Sequence, residues 1–365
     1  MTTTRRDALK LSAPLLAIPW CMSCSRAEDE LNIYSWADYI GDTTIADFAR
    51  LTGIKVNYDT YNSTPEMEAK MLAGSTGYDV VNQAGVSLGP FVKAGVYDRL
   101  DKSRLPNWKN LDPAVLTMAS GYSPQSAYGM PYMWGSTGMT YNLDMVRQRL
   151  PGADLESLDV ILDPANAARI SDCGISLLDD QSLIWEVMSY LGKPRDVYTP
   201  AVMDDVVKAV KRVRPFVRTF DSSNFLVSLP NKEVCAVNNW SGDYSTARRR
   251  AKEAGVDVNL GYFVPRTSAP AWIDMYCIVS DGLNQNNAYK FLNYMMIPEV
   301  IAACTNHIKY ANANLASRKF IDRSVLNDPT IYPTAEVMAR LYAPKPLSEE
   351  DSRLINDALN AIKAG

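Results

Sequence analysis

The sequence predicts an α/β protein folded into two lobes, and three observations carry that expectation. The chain has 365 residues, roughly twice the usual domain of about 100–200 residues, so two lobes are the default. Its first segments run strand, helix, strand, helix, strand, the order that builds a parallel sheet covered by helices. The composition is ordinary for a globular chain, 47% hydrophobic, 21% charged and 10% aromatic, so most of it has the apolar content to bury a core.

The opening residues are read as an address. Thr4-Arg5-Arg6-Asp7-Ala8-Leu9-Lys10 places paired arginines ahead of an apolar stretch over 11–20, the pattern of a twin-arginine export signal. Pro14 and Pro19 break that stretch as a helix, and it is shorter than the ~20 residues a membrane span needs. Residues 1–26 are therefore set aside as an export signal, with cleavage near Cys24 or shortly after Ala27, and a periplasmic location is expected. Ser23 before Cys24 is also compatible with a lipoprotein signal in which Cys24 carries lipid, although Cys21-Met22 upstream is a poor lipobox.

From Leu31 the elements follow one another regularly. Residues 31–34 alternate as a strand, and Asp42 is the expected cap of a helix whose Ile45, Phe48 and Leu51 recur at helical spacing until Gly53 stops it. A second strand over 54–58 leads to a helix opened by Thr64-Pro65-Glu66 and running through Met71 and Leu72, then to a third strand over 78–81. Further on, 200–213 reads as an amphipathic helix ahead of Pro215, 261–265 and 272–279 as strands, and 286–296 and 298–304 as two successive helices. No low-complexity linker interrupts this order, so the lobes are expected to be joined by ordered crossover strands.

Charge and residue counts exclude several function classes. With 37 basic and 41 acidic side chains the formal charge is −4, and no basic run makes a phosphate-backbone footprint, so nucleic acid is not an expected partner. Removal of residues 1–23 leaves −6, which suits a neutral or positively charged ligand. His307 is the one histidine, which excludes histidine-rich metal sites and a histidine triad elsewhere. Beyond the signal stand Cys173, Cys235, Cys277 and Cys304 without metal-ligand spacing; an oxidising compartment would let a pair cross-link, and spacing does not say which. Gly135-Ser136-Thr137-Gly138 and Gly74-Ser75-Thr76-Gly77 lack the Lys or the spacing of phosphate and nucleophile loops and read as turns. Asp179 and Asp180 would point to opposite faces, with a helix cap as the competing reading. His307 reads as a helix-end residue, and Arg248-Arg249-Arg250-Ala251-Lys252 as a solvated helix face.

Three clusters pair tryptophan with aspartate. Ser35-Trp36-Ala37-Asp38-Tyr39 follows the first strand, at the sheet edge where open α/β sheets bind ligands. Asn238-Asn239-Trp240-Ser241-Gly242-Asp243 repeats the chemistry, and Trp272-Ile273-Asp274 puts both side chains on one strand face. Singly each reads as structural. Together they supply what a desolvated organic cation needs: carboxylates for its charge and aromatic faces for its methylenes, each face worth about 0.5–2 kcal/mol.

At these residues the sequence resembles a known family. From about Asn32 to the C-terminus it is similar to the polyamine-binding periplasmic proteins of ABC importers, the putrescine/spermidine group, and most of all to the putrescine-binding branch. The blocks that carry the resemblance are 32–40 (NIYSWADYI), 102–113 (KSRLPNWKNLDP), 130–134 (MPYMW) and 310–314 (YANAN). It implies a two-lobed type II periplasmic binding protein with mixed, mainly parallel sheets and a ligand cleft between the lobes. The expected division is 27–133 plus 266–312 for lobe 1 and 134–265 plus 313–365 for lobe 2. By position, Trp36, Tyr39, Trp240 and Tyr310 would form an aromatic box with Trp272 at a further aromatic site. Asp243 and Asp274 would bind ammonium groups, Asp38 would contact the ligand or orient the box, and Cys173 and Cys235 match a disulfide of the putrescine branch. The resemblance implies an inner-membrane ABC permease as partner, no metal, no cofactor, no enzymatic activity, and a monomer. A polyamine sensor that signals to a membrane receptor without transport is the alternative. The sequence departs from the family at Ala37 and Ala84, where the family has small hydroxyl residues, and at Ser182, where it has a carboxylate. The expectation is thus a cationic ligand that need not be putrescine.

Overall fold

The computed structural model describes residues 30–364, so residues 1–26, expected as an export signal, and Cys24 lie outside the described residues. Strands β1 (Glu30–Trp36), β2 (Lys55–Tyr61) and β3 (Val80–Ala84) pair in parallel with β1 in the middle. The helices Thr44–Thr52 and Thr64–Leu72 are the crossovers between them. The second is opened by Ser63, whose side chain accepts from the Glu66 N–H, with Pro65 in the first turn. The first differs from the expectation at both ends. Thr43, not Asp42, holds its N-cap position, and Asp42 instead lies 3.3 Å from His307 Nε2. Leu51 is 71% exposed. Burial falls on Thr44 and Phe48, and the last turn is open to solvent, so the buried stripe ends one turn early.

Strand β4 (Met130–Asn142) is buried along its whole length and changes partners midway. The expected turn Gly135-Ser136-Thr137-Gly138 lies inside it, which corrects that reading. A Cβ at Gly138 would stand 2.5 Å from the Phe263 carbonyl oxygen, so this glycine serves close backbone approach rather than a change of direction. Strands β5 (Ile175–Leu177), β6 (Val217–Phe220), β7 (Ala236–Trp240) and β8 (Leu260–Phe263) make the second half of the sheet. Strand β9 (Ala269–Ile278) returns the chain to the first half, and the short β10 (Ala311–Asn312) and β11 (Leu341–Tyr342) pair with β4 and β9. The order is β2-β1-β3-β9-β4-β7-β5-β6. Pairing is parallel on the flanks and antiparallel at the centre, where β9 runs against β3 and the first part of β4, and β7 and β8 run against its second part. The change falls between Ser136, opposite Ala271, and Thr137, opposite Trp240.

The helix Pro200–Val213 has the expected bounds and buries Met203, Val206, Ala209, Val210 and Val213. Gln285–Met295 forms within one residue of its expected bounds, and Pro298–Ile308 starts as expected but runs one turn further. Cys173 and Cys235 are paired as a disulfide with Cα atoms 5.5 Å apart, tying the approach to β5 to the start of β7. Cys277 and Cys304 are buried thiols. Among the described residues no helix is long and apolar enough to cross a membrane.

Candidate binding site

The strand register gathers the tryptophans and aspartates. Ala84 at the C-terminal end of β3 stands opposite Asp274, Gly135 opposite Trp272, and Thr137 opposite Trp240. Trp36 ends β1 beside them, where the parallel strands open toward a ligand. The following loop turns through Asp38, at φ 53, and brings Tyr39 back under the cleft. The Tyr132 hydroxyl donates to the Tyr39 carbonyl at 2.9 Å and holds that loop. All nine residues expected at the site, Trp36, Asp38, Tyr39, Ser182, Trp240, Asp243, Trp272, Asp274 and Tyr310, line one cavity of about 180 Å³. That is room for a small molecule rather than a single water.

Aromatic rings enclose the cavity edge to face. Trp36 meets Trp240 with centroids 6.1 Å apart, Tyr39 meets Tyr310 at 5.5 Å, and Tyr310 meets Trp272 at 5.2 Å. Gly242 admits this packing, because a Cβ there would stand 2.4 Å from the Tyr310 ring.

The carboxylates differ in their surroundings. Asp243 lies in the first turn of the helix Ser241–Glu253 and accepts from the Tyr310 hydroxyl at 2.7 Å. Burial pushes its carboxyl up to about 7, with Tyr310 and Arg250 opposing and Asp38 reinforcing. Asp274 is 7% exposed, and burial pushes it to about 7 as well. The Tyr39 hydroxyl beside it opposes the shift, and Asp180 reinforces it. Asp38 lines the rim but is exposed, and its Oδ2 accepts from Arg250 Nη2 at 2.8 Å. This corrects the reading of 248–252 as a wholly solvated face, since Arg250 turns into the cleft.

Sequence reasoning missed one acid of the cavity lining and one nearby acid that does not line it. Asp180 caps the helix Gln181–Tyr190 and also lines the cavity, while its neighbour Asp179 pairs with Lys363 at 2.8 Å. Ser182, 4% exposed, donates to Asp180 from its hydroxyl at 2.6 Å and from its backbone N–H at 2.9 Å. Burial raises the Asp180 carboxyl despite these bonds. Glu68, on the helix Thr64–Leu72, is pushed up to about 7 by burial, with Ser87 opposing and Asp180 reinforcing. The signal for Asp180 was its place at a helix start beside an already suspected serine; Glu68 gave none. Ala37 and Ala84 do line the cavity. Among the described residues no group of three or more His, Cys, Asp or Glu could hold a metal ion. The arrangement can desolvate a cation, pair its charge and cover its methylenes.

Comparison with known proteins agrees with this geometry. Residues 43–333 match the family described as bacterial extracellular solute-binding protein. The putrescine-binding periplasmic protein PotF of Escherichia coli (strain K12) is 40% identical over 342 residues, covering 92% of this chain and 91% of the relative. The putrescine-binding periplasmic protein SpuD of Pseudomonas aeruginosa (strain UCBPP-PA14) is 37% identical over 337 residues, 92% of each. The spermidine/putrescine ABC transporter substrate-binding protein PotD of Streptococcus pneumoniae superposes with a TM-score of 0.75 over 92% of this chain and 99% of that one; at 23% identity it speaks for the fold alone. The two-lobed cleft architecture expected from the sequence is that of these proteins, and the chain belongs to the bacterial extracellular solute-binding protein family.

Proposed function

We propose that this solute-binding protein captures a polyamine or closely related organic cation in the periplasm and delivers it to an ABC permease. The observation that carries the reading is the cavity itself. Asp243 and Asp274, both pushed to about 7 by burial, are set among Trp36, Tyr39, Trp240, Trp272 and Tyr310. A carboxylate held out of water without a full partner gains strongly from an ammonium group, and the rings cover the carbon chain between ammoniums. Closure of the lobes 27–133 plus 266–312 and 134–265 plus 313–365 over the ligand would be the step the permease reads.

Asp180 changes the reading of the ligand. Ser182 does not leave its wall without a carboxylate, because Asp180 stands there and takes the serine's hydroxyl. A glutamate introduced at Ser182 would remove the hydroxyl that Asp180 accepts and add a like charge beside it, both of which disfavour the ionised Asp180 in the empty cavity. Calorimetric titration with putrescine, cadaverine, agmatine, spermidine and spermine tests the proposal. Saturable binding of at least one at micromolar Kd or tighter supports it, and no heat with any of them contradicts it.

Export and oxidation belong to the same proposal. Residues 1–26 would direct export, and the disulfide between Cys173 and Cys235, 62 positions apart, would form there. Closing a loop of that length contributes about 4 kcal/mol in the chain-entropy account. Thiol counting on unfolded, non-reduced mature protein should find this pair protected and Cys277 and Cys304 reactive; alkylation of all four would contradict it.

A further inference from the structure

Glu186 lies one turn beyond Ser182 on the same face of the helix Gln181–Tyr190, is 1% exposed, and stands outside the cavity lining. Its Oε2 accepts from Asn238 Nδ2, which also donates to the Gly138 carbonyl. Asn238 sits on β7 two residues before Trp240 and so on the same face. This hydrogen bond joins two walls of the cavity from behind. One wall carries Asp180, Ser182 and Trp185 on the helix; the other ends in Trp240 and, three residues on, Asp243. Burial pushes the Glu186 carboxyl up to about 8, so near neutral pH it is an uncharged acid. The titratable groups facing it are the phenols of Tyr141, Tyr262 and Tyr342 from β4, β8 and β11, and no cation among the described residues acts on it. A buried hydrogen-bonded pair of this kind fixes a distance rather than supplying charge.

We infer that Glu186 is a positioning residue for the binding site: through Asn238 it sets the separation of the Asp180 and Asp243 walls, and thereby the length of cation the cavity selects. The inference rests on reading the cavity as a cation site, so its test has an arm that needs no ligand. Glu186→Leu, Asn238→Ala, the double variant and Glu186→Gln are compared with wild type in two measurements. The first is the ratio of affinities for putrescine and spermidine. Either single variant should shift it by about tenfold, with the double variant no further, because the two residues act as one unit. Glu186→Gln keeps an acceptor for Asn238 and should hold the ratio within about twofold of wild type. The second is amide exchange in the ligand-free protein, which should rise in 181–190 and 236–243 in the two single variants and not in Glu186→Gln.

Equal weakening for both amines would overturn the inference, as would wild-type exchange in these segments or a Gln variant that behaves like the Leu variant. If Glu186→Leu fails to fold, Asn238→Ala and Glu186→Gln still decide it. Failure of the wild-type protein to bind any amine would overturn the cation-site reading instead, and with it the claim about length, while exchange would still report whether the tie exists.

Discussion

Asp243 and Asp274 are pushed to the same range by burial, yet the two ends of the cavity are not equivalent. Asp243 accepts from Tyr310 and feels Arg250, which is itself held by Asp38. At Asp274 a phenol stands nearby and the other acting charge is a second carboxylate, Asp180, with no cation among the described residues acting on it. Similar proton affinities thus arise from different surroundings. An arriving ammonium adds a second cation near Asp243 but the first near Asp274, so the Asp274 end should anchor the ligand.

Substitutions can break that asymmetry, and the largest effect is expected at Asp274. Asp274→Asn should weaken binding by about two to four decades, since losing one partner of a buried ion pair costs about 3–5 kcal/mol. Asp243→Asn leaves Tyr310 and Arg250 in place and should cost about one to two decades, in the range of a lost charge-assisted hydrogen bond. Equal losses in titrations of both variants would remove the distinction between the ends. Asp180→Asn should fall below Asp243→Asn for putrescine but exceed it for spermidine, whose further ammonium can reach that wall. Asp38→Asn should matter least, because an ion pair this exposed contributes about 0–1 kcal/mol, and its affinity should stay within about tenfold of wild type.

The same asymmetry has a pH signature. Folded-state values near 7 for both aspartates lie above the roughly 3.9 of an unfolded chain. Their contribution to stability is therefore fully present below about pH 4 and lost as pH rises through about 7. A bound cation reverses this by favouring the charged forms. The ligand-induced rise in Tm should accordingly be larger at pH 8 than at pH 5, and a rise that shrinks with pH would contradict the linkage. Asp274→Asn should flatten the profile more than Asp38→Asn.

Much of the fold was legible because local signals agreed with the tertiary outcome. The β1 to β3 crossover order and the helix Pro200–Val213 were written in periodicity and breakers. The tryptophan and aspartate clusters were legible as repeated chemistry, though only strand register shows that β3, β4, β7 and β9 bring them together. What was missed had two meanings at once. Asp180 satisfies a helix terminus and faces the cavity, so a correct local reading hid its second role. Arg250 belongs to a basic run whose neighbours behave as expected, Arg249 pairing with Glu253, while it alone reaches across to Asp38. Gly135 and Gly138 were taken for turn residues because glycine permits both a turn and a close approach of packed strands, and nothing local separates the two.

On the proposed reading an ammonium group takes the place of protons on Asp274 and Asp243. Titration calorimetry of the best-binding amine, repeated in buffers of different ionisation enthalpy, measures those protons directly. With both carboxyls raised to about 7 by burial, binding at pH 7 should release protons, and the release should fade as pH rises well above that range. Asp274→Asn should reduce it. No proton release at pH 7, or proton uptake, would contradict the account.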